Sequence, residues 1–448
     1  MSKIHDLRSY LELLASHHNL VRVERSVSLK HELANVAVSV QRQLGKACLF
    51  ENVEKADWPV FANAVSTPEQ AALTLECQLE EISSVMERAL DPAAGVPAER
   101  VSSAPWRENT LQGEKLDLWK LPIPTHGEHD GGPFITGGIT IAKDPQTGRG
   151  NLSYNRMQIL GPHTLGFNVN EWRHVMQFYR HQEAREQPLE IAVAIGVDPA
   201  VSIAAGARYP DDELHIAGAI RQQGIPVCPG VETEIFIPVG SEIVIEGYLP
   251  PHQRQAEGPL AEFHGYYGEL WESPVLEVTA VHYRSSPIFQ TIIPGEAEHI
   301  YIGNVLPREP LLRRFAEHVS ANITGLHIPP YGNGFAAVVQ LEKHNPGEPK
   351  NVALAAFSAH VNIKKVIVVD PDVNIYDPAD VLWALTNRVD WSRDFFTVPG
   401  AQGHEMDPTA DERGIHTKIG IDATYKPDRR DYGERIRYPS LDVSDYLG

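Results

Sequence analysis

The stretch GGPFITGGITIAKDPQTGRGNLSYNRMQILG, residues 131–161, is the part of the chain that decides the fold. It carries short runs of Ile, Thr, Phe and Leu separated by Gly, Pro and Asp, which is typical of β-strands joined by tight turns. The segment DPQTG at 144–148 predicts one such turn. The Gly-Gly pairs at 131–132 and 137–138 lack the spacing of a dinucleotide-binding loop, so we expect them to permit turns or close backbone packing.

The strand pattern continues on both sides of this stretch, from residue 121 to about residue 293. Two segments with helical spacing, 171–185 and 214–223, interrupt it. The pattern predicts a β-rich domain, built as a barrel or as a two-layer sheet. Further strand-like runs lie at 189–196, 234–247 and 275–282.

The flanking regions combine helices with strands, which predicts α/β domains on either side. Before the β-rich region, helical spacing occurs at 5–17, 31–44 and 67–91, a strand is predicted at 60–65, and 93–105 has the composition of a linker. After residue 307, predicted helices at 311–320, from 351 and at 377–388 alternate with predicted strands at 335–342 and 365–369.

Length and charge exclude several classes of protein. A chain of 448 residues is expected to form two or three domains. Its net charge of −20 argues against general nucleic-acid binding, because a phosphate backbone would be repelled. No apolar stretch approaches the roughly 20 residues that cross a bilayer, and the start lacks the apolar region of a signal peptide, so we expect no membrane contact and a cytoplasmic location. The scattered Cys48, Cys77 and Cys228 fit reduced thiols.

Arg156, Glu257 and Glu262 point most directly to a function. A guanidinium can hold a substrate anion by a bidentate contact. A carboxyl whose pKa is raised by burial or by a like-charged neighbour can donate a proton near neutral pH. Gly258 and Pro259 favour a tight link between the two glutamates, so both side chains could face one cavity. The set predicts an enzyme that acts on a carboxylic acid, and the alternative is a weak surface salt bridge.

Several segments resemble the UbiD family of reversible (de)carboxylases, and they occur in the family's order over nearly all of the chain. The resemblance implies a multidomain α+β fold with an N-terminal α/β region at 1–115, a central split β-barrel of the flavin-reductase type at 116–305 that binds the cofactor, and a C-terminal α/β oligomerisation domain at 306–448. The resembling segments are 131–161, EGPLAEFHGYYGE (257–269), PGEAEHIYIGNVLPRE (294–309), KKVIVVDPDVNIYDPADVLWALTNRV (364–389) and HTKIGIDATYKP (416–427).

The resemblance also implies the reaction. It would be a non-oxidative, reversible decarboxylation of an aromatic, heteroaromatic or α,β-unsaturated carboxylic acid, with prenylated FMN as cofactor. Such a cofactor fits the chemistry, because the electrons left when carbon dioxide departs need a sink that side chains supply poorly. By resemblance, Glu262 is the proton donor, and Arg156 and Glu257 are partners that hold the cofactor and the substrate carboxylate.

Metal ions and partners follow from the same resemblance. A Mn²⁺ or Mg²⁺ ion would bridge the cofactor phosphate to the protein, with K⁺ as a further ion. The other expected partners are the acid, carbon dioxide, a flavin prenyltransferase as the source of the cofactor, and further copies of the chain in a homodimer or higher homo-oligomer.

The resemblance places the metal ligands at Asn151, His174 and Glu213. An amide, an imidazole and a carboxylate, completed by phosphate oxygens, make a reasonable set for such a cation. Asn168 and Glu171 are nearby alternatives to His174. On the residues alone, His174 could equally be a histidine on a helix surface.

Further cofactor contacts are carried over from the segment around Arg156 and from the last resembling segment. The family often has Tyr directly before this Arg, whereas this chain has Asn155 there. Lys418 is the candidate contact to the cofactor phosphate, because an ammonium pairs well with a dianion; the alternative is an exposed lysine on a strand. Besides the metal ligands, the predicted cofactor-binding residues are Ser153, Tyr154, Asn155, Arg156, Gln158 and Lys418.

Three residues are predicted on the substrate side of the cofactor: His299, Phe357 and His360. His299 could equally be a core or turn histidine bonded to the backbone. His264 follows Glu262 closely, and it could either tune that acid or lie in an exposed loop.

Two other functions are compatible with these residues. One is a flavin-reductase-like oxidoreductase that uses ordinary FMN on a similar barrel. The other is a non-catalytic subunit of a decarboxylase complex. The presence of Arg156, Glu257 and Glu262 together argues against the second, because a subunit without activity has no need of all three.

Overall fold

The structure, a computed structural model, describes residues 3–429, 431, 434–436, 438 and 446. These residues contain eleven α-helices. None of these helices has the length and apolarity to span a membrane. They are α1 (Leu7–Ser16), α2 (Glu32–Leu44), α3 (Pro68–Leu75), α4 (Ile82–Ala89), α5 (His174–Glu183), α6 (Pro199–Gly206), α7 (Leu214–Arg221), α8 (Ala297–Ile300), α9 (Leu306–Val319), α10 (Glu348–Ala359) and α11 (Pro378–Arg388). Single helical turns of other types are a π-helical turn at Tyr301–Val305 and 3-10 turns at Leu79–Glu81, Pro92–Ala94, Pro105–Arg107, Gly113–Lys115, Leu118–Lys120 and Pro330–Gly332.

Twenty-two strands build four sheets in the same residues. In chain order they are β1 (Leu20–Val23), β2 (Ala47–Phe50), β3 (Val60–Ala62), β4 (Glu99–Arg100), β5 (Asn109–Gln112), β6 (Phe134–Ile135), β7 (Ile139–Lys143), β8 (Gly150–Tyr154), β9 (Met157–Gly161), β10 (Thr164–Phe167), β11 (Leu189–Ile195), β12 (Pro226–Pro229), β13 (Phe236–Pro238), β14 (Ile243–Leu249), β15 (Arg254–Glu257), β16 (Trp271–Tyr283), β17 (Phe289–Gln290), β18 (Ile323–His327), β19 (Ala336–Leu341), β20 (Lys365–Val369), β21 (Phe395–Gln402) and β22 (Ile415–Asp422).

The largest sheet is ten-stranded and antiparallel at every pairing, in the order β6-β9-β10-β16-β14-β11-β7-β8, with β5 and β15 also paired to β16. Its strand β11, LEIAVAI, pairs with β14 over its whole length and with β7 on the other side. Ile191 and Val193 point into one hydrophobic cluster, and Ala192 and Ala194 into another. Both faces of the sheet are therefore covered, which explains why this strand is a nearly continuous apolar run rather than an alternating one.

The predicted multidomain α+β fold is confirmed, whereas the predicted split barrel is not. Within the described residues, the strands at the two ends of the ten-stranded path, β6 and β8, do not pair with each other, so the sheet is open. The stretch 131–161 supplies β6, β7, β8 and β9, with the predicted turn at 144–148 between β7 and β8.

Backbone pairing connects the N-terminal part of the chain to the central part. The first sheet has the order β1-β2-β3-β17, in which β17 returns from the central region to lie parallel to β3. In the other direction, β4 pairs with β12 and β5 pairs with β16. These pairings cross residue 116, so the bounds proposed for the domains remain predictions.

The C-terminal sheet has the order β18-β19-β20-β22-β21, with β19, β20 and β22 parallel. The predicted strands at 335–342 and 365–369 correspond to β19 and β20. The pair β21 and β22 was not predicted as strands, because FFTVPGAQ contains Pro and Gly and is mostly exposed, so it lacks an apolar run.

Two helical regions also differ from the prediction. The helix predicted at 67–91 is divided, because α3 ends at Glu76 in a left-handed conformation with φ 52°. The helix α6 was not predicted, because its residues Pro199–Ala205 are all buried and it therefore has no amphipathic spacing. Asp198 begins it by accepting a hydrogen bond from the backbone N–H of Ala200 at 2.8 Å.

Gly131 is predicted to be required for close packing of two backbone segments. Its N–H donates to the Pro259 carbonyl at 2.7 Å, and a Cβ at this position would overlap the Gly258 carbonyl. Gly131→Ala should therefore lower the free energy of unfolding by about 1–3 kcal/mol, measured by urea titration. Gly303→Ala is the matched control, because no atom lies within 4 Å of a Cβ there. Equal unfolding midpoints for the two variants would contradict the prediction.

Candidate active site

Arg156 lies between β8 and β9 and joins the two glutamates. Its Nε and Nη2 donate to Oε1 and Oε2 of Glu257 at 2.8 and 3.0 Å, and its Nη1 donates to Oε1 of Glu262. Glu257 is fully buried, whereas the side chains of Arg156 and Glu262 keep 11% and 12% of their exposure. The bidentate contact fixes the plane of the guanidinium. Within the described residues, Oε2 of Glu262 makes no hydrogen bond, so this oxygen is available to a ligand.

Glu257 is held by groups from the neighbouring strands. Asn168 donates to its Oε2 at 3.1 Å. Gly166 leaves room for its side chain, since a Cβ there would lie 3.0 Å from Glu257 Cγ. Gln158 Oε1 accepts from the N–H of Gly258 at 2.8 Å and so fixes the backbone directly after Glu257.

Asp130 holds the loop that carries Glu262, and it was not singled out from the sequence. Its Oδ1 accepts from the N–H of Ala261 at 3.0 Å, and its Oδ2 accepts from the N–H of Gly127 at 2.6 Å. The Asp130 carboxyl is also close enough to Glu262 for the two charges to interact. A third acidic group therefore contributes to the charge of the site.

Burial raises the pKa of Glu262 to about 7. The positive charge of Arg156 opposes this shift, and the negative charges of Glu257 and Asp130 increase it. A carboxyl with this pKa is partly protonated near neutral pH, where it can act as a general acid. Glu262 lies beside the Arg156 guanidinium, which still has N–H groups available. Those N–H groups can bind the carboxylate of a substrate next to the proton donor.

Asn151, His174 and Glu213 come from separate elements and converge. Asn151 is on β8, His174 begins α5 and Glu213 directly precedes α7. Nδ2 of Asn151 lies 3.0 and 3.1 Å from the oxygens of Glu213 and 3.3 Å from Nδ1 of His174. Glu213 is buried and also accepts from the N–H of Leu152 at 2.7 Å.

This set fits a hard divalent cation. A rotation of the Asn151 amide would present its oxygen beside the Glu213 carboxylate and the His174 imidazole. Burial, only partly offset by backbone N–H groups, raises the pKa of Glu213 to about 8, and a bound cation would reverse that shift. In the described residues, no group of three or more His, Cys, Asp and Glu side chains is arranged for a metal, so the amide is essential to this candidate site.

The two alternatives to His174 have other partners. Asn168 donates to Glu257 and, at 3.4 Å, to Ser273 Oγ. Glu171 forms an ion pair with Arg180 in which both side chains are exposed.

The side chains of the residues that precede Arg156 alternate between the two faces of the sheet. Leu152 belongs to a hydrophobic cluster and Tyr154 packs against it, on the side of the helices. Ser153 and Asn155 are buried on the side of Asn151, where Ser153 Oγ donates to Asn155 Oδ1 at 2.8 Å. Asn155 in turn donates to the Asn168 carbonyl at 3.1 Å, so in this chain an amide occupies the position where the resemblance suggested a tyrosine.

Lys418 is not an exposed strand lysine. Its side chain is buried on β22, where Nζ donates to the carbonyls of Val361 and Ile363 at 2.9 Å each and lies 5.7 Å from the ring centroid of Phe357. Burial lowers its pKa to about 8. The side chain is therefore next to the predicted His360, whose pKa is lowered by burial and by several cations, Lys418 among them.

Phe263 connects the Glu262 loop to His299 and to the C-terminal domain. Its ring centroid lies 6.3 Å from that of His299, 5.3 Å from Phe335 and 5.6 Å from His404. His264 lies on the same loop, 5.5 Å from the Phe263 ring. The site thus lies where the central and C-terminal regions meet.

The sequence analysis did not identify the arginine side chains in the cleft between the central and C-terminal regions. Arg173, Arg208 and Arg308 interact electrostatically with one another or with the cleft histidines His360 and His404. Arg173 directly precedes His174, and that adjacency was the only available signal. Arg208 and Arg308 reach the cleft through packing of the C-terminal end of α6 on the π-helical turn before α9.

Comparison with known proteins decides the family. Three family profiles match in order: the 3-octaprenyl-4-hydroxybenzoate carboxy-lyase N-terminal domain at residues 11–89, its Rift-related domain at 99–297 and its C-terminal domain at 301–423. The chain is 32% identical to the anhydromevalonate phosphate decarboxylase of Methanothermobacter thermautotrophicus, over 93% of this chain and 96% of that protein. The chain belongs to the UbiD family of carboxy-lyases. A second relative in this family, the anhydromevalonate phosphate decarboxylase of Methanosarcina mazei, is 32% identical over 93% of this chain and 95% of that protein.

Solved UbiD-class structures share the whole fold. HmfF from Pelotomaculum thermopropionicum, in complex with FMN, is 37% identical and has a TM-score of 0.93 over 99% of this chain and 100% of that one. An evolved dimeric form of HmfF contains prenylated FMN, and it is 35% identical with a TM-score of 0.90 over 99% and 100% of the two chains. The 3,4-dihydroxybenzoic acid decarboxylase of Klebsiella pneumoniae is 29% identical, with a TM-score of 0.92 over 99% of each chain. This chain is therefore a UbiD-family decarboxylase.

The carboxyl of Glu262 is predicted to titrate near pH 7 in the ligand-free enzyme. Asp130→Asn should lower this pKa, because it removes a negative charge that favours the protonated form. Infrared difference spectroscopy can follow the protonated carboxyl band, and Glu262→Gln should remove the component of that band that titrates near pH 7. Glu269→Gln, at an exposed position on the same loop, should leave the band unchanged. A band that disappears by pH 5, or that is unaffected by Asp130→Asn, would contradict the prediction.

Proposed function

We propose that this UbiD-family decarboxylase acts non-oxidatively and reversibly on an aromatic, heteroaromatic or α,β-unsaturated carboxylic acid, with Glu262 as the proton donor. The observation that carries the proposal is the buried contact of Arg156 with Glu257 and Glu262, which places a carboxyl with a pKa of about 7 beside a guanidinium. The names of the two archaeal relatives add a phosphorylated acid to the substrates that we consider.

Each residue of the set has a distinct role in the proposed reaction. Prenylated FMN, when bound, supplies the electron sink for loss of carbon dioxide. Arg156 has five N–H donors and uses three for the glutamates, so two remain to hold the substrate carboxylate or the cofactor. Glu257 keeps the guanidinium in position. Glu262 delivers a proton to the carbon that has lost carbon dioxide, and in the reverse direction the same oxygen takes the proton back.

The cofactor and its ions would be held on the other side of the cleft. Asn151, His174 and Glu213 would bind Mn²⁺ or Mg²⁺ against the cofactor phosphate, with K⁺ as a further ion. The buried Lys418 ammonium supports a phosphate contact, since a dianion would restore the charge that burial disfavours. Ser153 and Tyr154, mainly through their backbone, and Asn155, Arg156 and Gln158 would complete the cofactor site. His299, Phe357 and His360 would face the substrate.

We place the cofactor domain at 116–305, between an N-terminal region and a C-terminal domain at 306–448 through which copies of the chain assemble. The related HmfF dimer supports assembly. The three unpaired cysteines support a reducing, cytoplasmic location, where a flavin prenyltransferase would supply the cofactor.

Glu262→Gln should retain the cofactor and lose about 10²–10⁴-fold in turnover, because the proton donor is removed while the shape of the side chain is kept. Carbon dioxide release from a panel of unsaturated and aromatic acids measures turnover, and the flavin absorbance spectrum measures retention. Glu269→Gln serves as the exposed control on the same loop. A cofactor-loaded Glu262→Gln enzyme with wild-type rates would show that another group donates the proton.

Glu213→Ala should release both the divalent cation and the cofactor, because it removes the one carboxylate of the candidate metal site. Metal content by mass spectrometry and flavin content by absorbance should both fall at least about tenfold after gel filtration. Asp211→Ala, two residues earlier and exposed, should leave both unchanged. Full metal occupancy in Glu213→Ala would remove Glu213 from the site.

A further inference from the structure

The ring of Phe263, the residue directly after Glu262, is held from the C-terminal region. It is buried, and its centroid lies 5.3 Å from the ring of Phe335 and 5.6 Å from the ring of His404. Because Phe263 and Glu262 are adjacent in the chain, whatever fixes this ring also restricts the backbone of the proton donor. The groups that hold Phe335 and His404 in place therefore bear on the chemistry.

His404 lies in the loop at 403–414, which connects β21 to β22. The N–H of Asp407 donates to the His404 carbonyl at 2.9 Å. The N–H of Met406 donates to His404 Nδ1 at 3.1 Å, which fixes the orientation of the ring. The conformation of the turn at Asp407 therefore sets the position of the His404 ring.

The Asp407 carboxylate holds this turn from the inside, and its side chain is fully buried. Its Oδ1 accepts from Lys364 Nζ at 2.7 Å and from the N–H and Oγ1–H of Thr409 at 3.0 and 2.9 Å. Its Oδ2 accepts from His416 Nδ1 at 2.8 Å. Burial opposes ionisation, but these hydrogen bonds outweigh it and lower the pKa of Asp407 to about 2. The group is therefore a carboxylate at neutral pH.

Lys364 connects the same carboxylate to the other ring. Its Nζ lies 4.9 Å from the centroid of the Phe335 ring, in a cation–π contact. Asp407 therefore orients Lys364 over Phe335, while its own turn carries His404. Two rings that pack on Phe263 from the C-terminal region thus depend on one buried carboxylate.

The Glu262 loop is held from two sides. On the central side, Asp130 accepts from the N–H of Ala261 at 3.0 Å. On the C-terminal side, Asp407 interacts through charge with His264 of the same loop: burial lowers the pKa of His264, and the Asp407 carboxylate opposes that shift. One aspartate from each region therefore contributes to the position of the loop.

Water exclusion is the property of Glu262 that this packing controls. Burial is the largest cause of its raised pKa, and the charges of Arg156, Glu257 and Asp130 that modify the shift come from the central region. Looser packing of Phe263 would admit water to the carboxyl and move its pKa towards the ordinary value for a glutamate.

We propose that Asp407 is a positioning residue for the proton donor Glu262. Through its own turn and through Lys364 it holds the two rings that fix Phe263, so that the Glu262 carboxyl stays oriented and shielded from water. Asp407 acts through these neighbours and not by contact with the substrate. The assignment rests on the proposed decarboxylase function, in which Glu262 delivers the proton.

Asp407→Asn tests this role, because it keeps the size of the side chain but removes the charge that binds Lys364 and His416. In the ligand-free enzyme, infrared difference spectroscopy follows the carboxyl component that titrates near pH 7, which is assigned by its loss in Glu262→Gln. The midpoint of this titration should fall by about one pH unit or more in Asp407→Asn.

The same shift should appear in the pH profile of carbon dioxide release by the prenylated-FMN enzyme. Turnover that needs a general acid falls as the pH rises through the pKa of that acid. With a midpoint one unit lower, the protonated fraction at pH 7 falls from about one half to about one tenth. Asp407→Asn should therefore lose about fivefold in kcat at pH 7 and recover most of it at about pH 5.5, with little change in KM.

Asp411→Asn is the matched control, because Asp411 is exposed in the same loop and accepts from Arg413 and from the N–H of Ile415. It removes the same charge and should leave the midpoint and the profile unchanged. A double-mutant cycle separates a direct effect of charge from an effect through the ring. Asp407→Asn and Phe263→Leu should shift the midpoint by amounts that do not add, because both loosen the same contact.

Should Asp407→Asn not fold, Lys364→Met carries the test, because Lys364 is partly exposed and its loss breaks only the route through Phe335. The midpoint should then fall by a smaller amount. An unchanged midpoint in whichever variant folds, or fully additive shifts in the cycle, would overturn the proposal. Failure of the decarboxylase function is separate: the midpoint would shift as expected, but the prenylated-FMN enzyme would release no carbon dioxide from any acid.

Discussion

The Arg156 guanidinium between Glu257 and Glu262 is the interaction on which the site depends. One positive charge and two carboxyl groups are nearly removed from water, and removing one partner from such a buried set typically costs about 3–5 kcal/mol. The bidentate contact goes to the fully buried Glu257, which leaves Glu262 as the carboxyl that must share the charge. Burial is the main cause of the raised Glu262 pKa, the charge of Arg156 opposes the rise, and the negative charge of Glu257 adds to it.

The rest of the local structure serves to keep these groups in place. Gly131 and Gly166 allow the chain to approach where a side chain would not fit, and Asp130 fixes the loop through backbone N–H groups. Phe263 then fastens the same loop to Phe335 and His404 of the C-terminal region. The position of Glu262 is thereby coupled to the contact between two regions of the chain, which links the chemistry to the packing of the whole molecule.

The cleft has two sides of opposite electrostatic character. One side holds the acidic Glu257 and Glu262 around a single guanidinium. The other side collects cations and neutral histidines in a protein whose net charge is −20. A positive region enclosed by low-dielectric walls within an acidic protein focuses its field on the cleft, so anions are attracted there and not to the surface in general.

The amino-acid order by itself determined the longer apolar strands, such as β7, β11, β14, β19 and β20, and most of the longer helices, because alternation and apolar runs are local properties that each segment carries alone. It also determined the family, since separate motifs such as those around Arg156 and Glu262 occur in the family's order. The fully buried helix α6 and the exposed strand β21 lacked any such local pattern and could not be predicted. Only the tertiary structure decided that Asp130 and Phe263 belong to the site. Their roles depend on burial and on distances between segments far apart in the chain, and both arise only when the sheets and helices pack.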